Sequence, residues 1–95
     1  MFGKNPIELY GMKLSELGIT QALRIAIIAE LDAINLYVQL AGSIGDEKIK
    51  KIFLDIAREE KTHVGEFLAL LKMLDDEQVK ELEKGYKEVK ELMEE

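Results

Sequence analysis

The chain has 95 residues, 47 % of them hydrophobic, with 19 acidic against 13 basic side chains for a formal charge of −6, one His and no Cys. A chain this short makes one domain with a thin core, for which oligomerisation is the expected remedy, and without Cys it has no disulfide, no thiolate nucleophile and no sulfur metal site. The acidic balance argues against nucleic acid, which needs a basic face, and favours cations; any metal must be held by oxygen and nitrogen.

Residues 1–14 carry Gly3, Gly11 and the only proline, Pro6, and show no sustained period. They read as an arm preceding a helical domain over residues 15–95. Phe2, Ile7, Leu9, Tyr10 and Met12 give that arm much apolar surface for a solvated tail, so it either packs along a neighbouring helix or subunit or is a partly ordered terminus.

The first helix is expected to begin between Ser15 and Thr20, both good N-caps, and to run to about Ala41. Its apolar residues cover more than one stripe, which one partner helix cannot cover. Gly42 and Gly45 are expected to end it and shape the turn, and Asp46 to cap a second helix running from about Glu47 to Leu74. Asp75 or Asp76 then caps a third helix, with Gln78 placed as the capping-box partner of Asp75. Val79, Leu82, Tyr86, Val89 and Met93 give this helix a narrow stripe suited to a two-helix seam, and Gly85 makes it the weakest of the three.

Chemistry enters where these stripes are interrupted. On the second helix, Ile49, Phe53, Ile56, Ala57, Glu60, His63, Val64, Phe67 and Leu71 share one face, and all but Glu60 and His63 are apolar. On the first, Leu23, Ala26, Ile27, Ala33, Ile34 and Tyr37 surround a single carboxylate, Glu30. A carboxylate or imidazole in a buried stripe costs several kcal/mol unless it is satisfied, and a bound cation is the strongest candidate. If the chain turns back near Gly45, Glu30 and Glu60 each lie about fifteen residues, roughly 22 Å of helix, from the turn. They arrive at the same level.

One Glu plus Glu60-x-x-His63 is half of a di-metal carboxylate site, which takes a Glu from each of two helices and a Glu-x-x-His from each of two more. A two-fold related copy supplies the missing half, so the site is expected to be complete only in a dimer. Tyr37 lies two turns from Glu30 on the same face, where it is either a core aromatic or a partner of the metal ligands. Asp32 points roughly opposite to Glu30 and reads as a surface residue or part of an uptake route. Glu59 and Glu66 sit at the edge of the second stripe as solvated, metal-adjacent or transit groups.

The run from Ala26 to Tyr37 together with Ala57-Arg58-Glu59-Glu60-Lys61-Thr62-His63-Val64-Gly65-Glu66 resembles the encapsulated ferritins, the compact ferritin-like proteins of encapsulin nanocompartments, and the likeness extends over about residues 23–89. The resemblance implies an all-α, ferritin-like antiparallel hairpin with a third helix, dimerising into a four-helix-bundle-like di-iron site, in a ring of five dimers. It further implies iron as the metal, oxidation of ferrous iron, an encapsulin shell as partner, and mineral stored in that shell. Glu30, Glu60 and His63 match the family's iron ligands. Asp32, Leu36 and Ala29 depart from residues that some members carry near the uptake route, and the Glu91-Leu92-Met93-Glu94-Glu95 end lacks the Gly-Ser-Leu-rich tail that directs many cargo proteins into shells.

No run approaches eighteen uncharged apolar residues and no basic-then-apolar leader opens the chain, so neither a membrane span nor a signal peptide is expected. The expected location is the cytoplasm, inside a nanocompartment. The absence of Cys, the single Pro and the Glu/Lys content suit a thermophile. Two other readings compete with the ferroxidase. One is a non-catalytic helical assembly module whose buried Glu and His pair across a dimer. The other is a rubrerythrin-like peroxidase, which generally needs six ligands in one longer chain and often a Cys-bound iron module.

Overall fold

The computed structural model describes residues 18–94. The N-terminal arm, Ser15 as a cap, and Glu95 lie outside the described residues. Three helices account for nearly all of the rest: α1 (Ile19–Ser43), α2 (Glu47–Leu74) and α3 (Asp76–Glu94), with no strand among the described residues. The all-α expectation holds.

α1 starts from Gly18, whose extended backbone opens the helix without a side-chain cap. Its other end differs from expectation. The helix runs through Gly42 to Ser43 and closes on the Ile44 N–H donating to the Ala41 carbonyl at 3.3 Å, and Gly45 serves in an extended three-residue link with no left-handed glycine. α2 begins as expected: the Asp46 carboxylate accepts from the Lys48 and Ile49 N–H groups at 2.9 and 3.1 Å, with Glu47 in the first turn against the helix dipole.

α1 and α2 form an antiparallel hairpin, as the cross-pairs Tyr37 with Phe53, Glu30 with His63 and Arg24 with Asp75 show. Small residues at the contact, Ala41 and Ala57, are buried along with Leu71, and these are the only fully buried side chains among the described residues. Two helices alone make little interior. α1 contains an 18-residue window apolar enough to cross a membrane by length and composition, contrary to the expectation drawn from uncharged runs; Glu30 and Asp32 interrupt it without making it polar on average. Most of α1's apolar surface is not enclosed by the described residues.

Helical handedness fixes the two faces of this hairpin. In antiparallel right-handed helices, stepping one residue forward from the contact seam turns to the same side in both partners. One face therefore carries Arg24, Ile28, Leu31, Asn35 and Val38 of α1 beside Lys51, Leu54, Arg58, Lys61, Leu68 and Lys72 of α2, and a cleft lined by Arg24, Ile27, Ile28, Leu68, Leu71 and Gln78 opens there. The other face carries Ala22, Ala26, Ala29 and Ala33 beside Ile49, Ile52, Ile56, Glu59, His63, Glu66, Leu70 and Met73.

Asp75 alone links α2 to α3. Its N–H donates to the Leu71 carbonyl, ending α2, and its carboxylate accepts from the Gln78 N–H at 3.0 Å, capping α3. The capping box is only half formed, because the Gln78 side chain accepts from Arg24 Nε at 3.2 Å instead of returning to the cap, while Arg24 Nη2 donates to the other Asp75 oxygen. This fork ties the start of α3 to α1. The molecule extends 45 × 45 × 20 Å, as expected when a helix of about 28 Å leaves the hairpin broadside. The stripe expected to form a two-helix seam consequently has no partner among the described residues: Tyr86 is 72 % exposed and Met93 82 %.

The Gln78 N–H holds the Asp75 carboxyl below its ordinary value of 3.8, and Arg24 adds to the effect against some desolvation. A lowered folded value means that its stabilisation is complete above 3.8 and is lost as pH falls through the folded value. Helicity followed by circular dichroism from about pH 6 to about pH 2 should show loss of α3 in that acid window, and Asp75→Ala should remove the same component at every pH.

Candidate metal centre

Glu30 comes from the middle of α1, and Glu60 and His63 from successive turns of α2. The short link and the antiparallel register bring them to one level, as the residue count from the turn implies. His63 Nδ1 lies 3.5 Å from Glu30 Oε2 and 3.5 Å from Glu60 Oε2. One ligand atom from each residue falls within 4.8 Å of the other two, a group suited to a metal ion.

These contacts do not satisfy one another. Charge-assisted hydrogen bonds run at about 2.7–2.9 Å, so 3.5 Å is a loose approach, and Glu30 Oε2 is buried with no hydrogen-bond partner. Leaving such an atom bare costs about 1–3 kcal/mol. A cation bonded at roughly 2.1 Å to each donor would set the donors roughly 3.0–3.5 Å apart, close to the spacing present. The residues therefore fit a metal, and the donor set of two carboxylates and one imidazole suits iron, manganese or zinc.

Exposure is uneven across the trio. The Glu30 and Glu60 side chains are 21 % and 19 % exposed, whereas His63 is 46 % exposed and lies on the face that also carries Ile52, Glu59, Glu66 and Leu70. The site is thus reached from that face. Tyr37 is two turns away, its ring edge-on to Phe53 with centroids 6.3 Å apart, so it lies in the hairpin seam and not among the ligand atoms. Glu59 and Glu66 are exposed and Asp32, expected at the surface, is half-buried on the far side of α1; none of the three belongs to the ligand group.

Sequence reasoning passed over Arg24. It is the only basic residue of α1, and a lone guanidinium in so apolar a helix needs a partner. The antiparallel register that pairs Glu30 with His63 carries Arg24 to the α2–α3 junction.

Comparison with known proteins agrees with this geometry. The family model described as Rubrerythrin matches residues 21–95. A crystal structure of the encapsulated ferritin domain from Pyrococcus furiosus is 54 % identical, superposes with a TM-score of 0.78, and covers 97 % of this chain and 95 % of that one. The chain belongs to the encapsulated ferritins. Among curated relatives of this family, the ferritin-like-encapsulin shell fusion protein of Pyrococcus furiosus is 65 % identical over 74 residues, and the encapsulin nanocompartment cargo protein EncC of Myxococcus xanthus is 36 % identical over 75 residues. Each match takes in 78 % of this chain but only 21 % of the fusion protein and 58 % of EncC.

If the trio is built for a cation, it is a burden on the metal-free fold. Glu30→Leu should raise the metal-free unfolding free energy by about 1–3 kcal/mol in urea with chelator, while weakening divalent metal binding by at least about 10-fold in calorimetry. A destabilised Glu30→Leu chain would show that the carboxylate is already satisfied without metal.

Proposed function

We propose that this encapsulated ferritin is a ferroxidase, binding ferrous iron between paired chains, oxidising it and releasing Fe(III) for storage in an encapsulin compartment. The observation that carries the reading is the buried, unpartnered Glu30 oxygen beside Glu60 and His63. Three ligand residues are half of a di-iron set, and a second copy facing the His63 side brings the other half.

That face is suited to being covered by another hairpin. α1 presents Ala22, Ala26, Ala29 and Ala33, which permit close helix approach, and α2 presents apolar Ile49, Ile52, Leu70 and Met73 at both ends of the polar centre. Paired chains would remove the His63 edge from solvent and close the site over two metal ions.

In the reaction two Fe(II) ions are the substrate. Each gives up one electron, and O₂ takes up both together with two protons to yield hydrogen peroxide; with peroxide as oxidant, two electrons and two protons give two waters. Glu30 and Glu60 bind the cations and favour the more highly charged ferric product, and His63 supplies a neutral nitrogen donor. Tyr37 supports the ligands through the seam in this reading, and Asp32, Glu59 and Glu66 lie on candidate routes to the site. Location inside an encapsulin shell in the cytoplasm is supported by the encapsulin-associated names of the relatives.

The match to the Rubrerythrin model keeps one alternative in view, a peroxidase that consumes hydrogen peroxide. The two separate on product. Metal-stripped protein given Fe(II) under air should oxidise it faster than buffer alone, with a loss of at least about 100-fold in Glu30→Ala and in His63→Ala and a rise in mass as iron is added. Efficient peroxide turnover without net accumulation of Fe(III), under air or with peroxide as oxidant, would replace the ferroxidase by the peroxidase. A folded oligomer that neither binds nor oxidises iron would leave a non-catalytic assembly module.

A further inference from the structure

A metal held by donors from two helices is only as well placed as one helix is fixed along the other. In this hairpin a slide of one residue is about 1.5 Å, nearly half of the 3.5 Å between Glu30 Oε2 and His63 Nδ1. Packed helices resist sliding through interlocked side chains, but one turn from the two carboxylates stand Ala33 and Ala57, which interlock weakly. The contact of Tyr37 with Phe53 lies two turns nearer the link. The register at the metal level needs another restraint.

Arg24 supplies it in both form and direction. By the register that sets Glu30 opposite His63, Arg24 is level with Ala69, and its guanidinium reaches six residues farther along α2 to Asp75 and on to Gln78. Six residues are about 9 Å of helix, so the tie is slanted, in the direction helical side chains lean, toward the start of their own helix. A contact square to the axes resists only separation, whereas a slanted one resists sliding. The fork stops α1 from moving toward the link. The link stops the opposite motion, since Ile44 and Asp46 are already extended and have little length to give. Glu30 lies six residues from Arg24 and thirteen from Ser43 at the end of α1, so the fork is the nearer restraint.

α3 does not need the fork for its cap. The Gln78 N–H donates to Asp75 Oδ1, whereas Arg24 Nη2 and Nε donate to Asp75 Oδ2 and Gln78 Oε1. Cap and tie use different atoms, so one can be removed without the other.

We propose, on the metal reading of Glu30, Glu60 and His63, that Arg24 is a positioning residue of the metal centre: its two-pronged hold, working against the link, keeps α1 at the register where the three donors suit a small divalent ion. Charge alone predicts the opposite sign. A guanidinium at the end of the seam repels a cation bound at Glu30, so on electrostatics its removal would strengthen metal binding. Lysine would keep the charge but not the planar fork.

The test is zinc binding by the full chain, followed by calorimetry at a fixed chain concentration, with the visible spectrum of the cobalt(II) form reporting donor geometry. Arg24→Met should weaken zinc binding by at least about 10-fold and shift the cobalt bands, with helicity unchanged because the Asp75 cap remains. Arg24→Lys should stay as weak as Arg24→Met, and Gln78→Met, which removes one prong and leaves the cap, should weaken zinc binding by less. Arg24→Met combined with Gln78→Met should be no weaker than Arg24→Met, since Gln78 acts only through Arg24. Unchanged zinc affinity and cobalt bands, with only a lower urea midpoint, would assign Arg24 to holding α3 and overturn the proposal. So would tighter zinc binding in Arg24→Met or full recovery in Arg24→Lys, because charge would then decide the outcome. Glu30→Ala separates this role from the site itself. Zinc binding that is absent from wild type, or indifferent to Glu30→Ala, sinks the metal centre and the positioning role together, whereas binding that needs Glu30 but not Arg24 sinks only the positioning role.

Discussion

A bare carboxylate oxygen in the seam of a two-helix hairpin is the constraint around which this molecule is arranged. Glu30 Oε2 is out of contact with solvent and has no hydrogen-bond partner, and His63 Nδ1 lies 3.5 Å away. An apolar residue at this position would leave no such unpaired oxygen. The hairpin tolerates the carboxylate because Glu60 and His63 share its level, and the three together offer a cation more than they offer one another. The metal reading therefore rests on an energetic deficit in the chain itself, and the family comparison adds to it from a separate direction.

Holding that deficit at one level requires a fixed register between α1 and α2, and few contacts are available to fix it. Ala41, Ala57 and Leu71 make up the buried interior among the described residues. Two polar devices assist at the ends: Asp46 stops α2 from sliding past the link, and Arg24 ties the start of α1 to the junction that begins α3. Because α2 is continuous from Asp46 to Asp75, these two devices fix both ends of the seam in which Glu30, Glu60 and His63 meet.

Local chemistry and helical period made much of this legible in the chain. The caps at Asp46 and Asp75, the bounds of α2 and the meeting of Glu30 with Glu60 and His63 all follow from residue type, period and distance from the turn. What sequence could not convey depends on choices between competing partners. Gln78 had two acceptable roles, returning to its own cap or accepting from Arg24, and the second wins because the hairpin delivers a guanidinium to it. Gly42 was available as a helix terminator, but α1 had no need of a left-handed residue and ran on to Ser43. Likewise the α3 stripe announced a partner helix that the described residues do not provide.

Why α3 should be bare follows from how little a lone hairpin can bury. Two antiparallel helices cover one stripe on each other, yet α1 is apolar on several sides and α2 carries Ile52, Leu70 and Met73 outward as well. Folding α3 back would cover one of those sides and leave the other exposed. Splayed, it leaves both faces of the hairpin uncovered among the described residues. On the ferroxidase reading proposed above, a second copy covers the His63 face, so that iron binding and burial of that face favour each other.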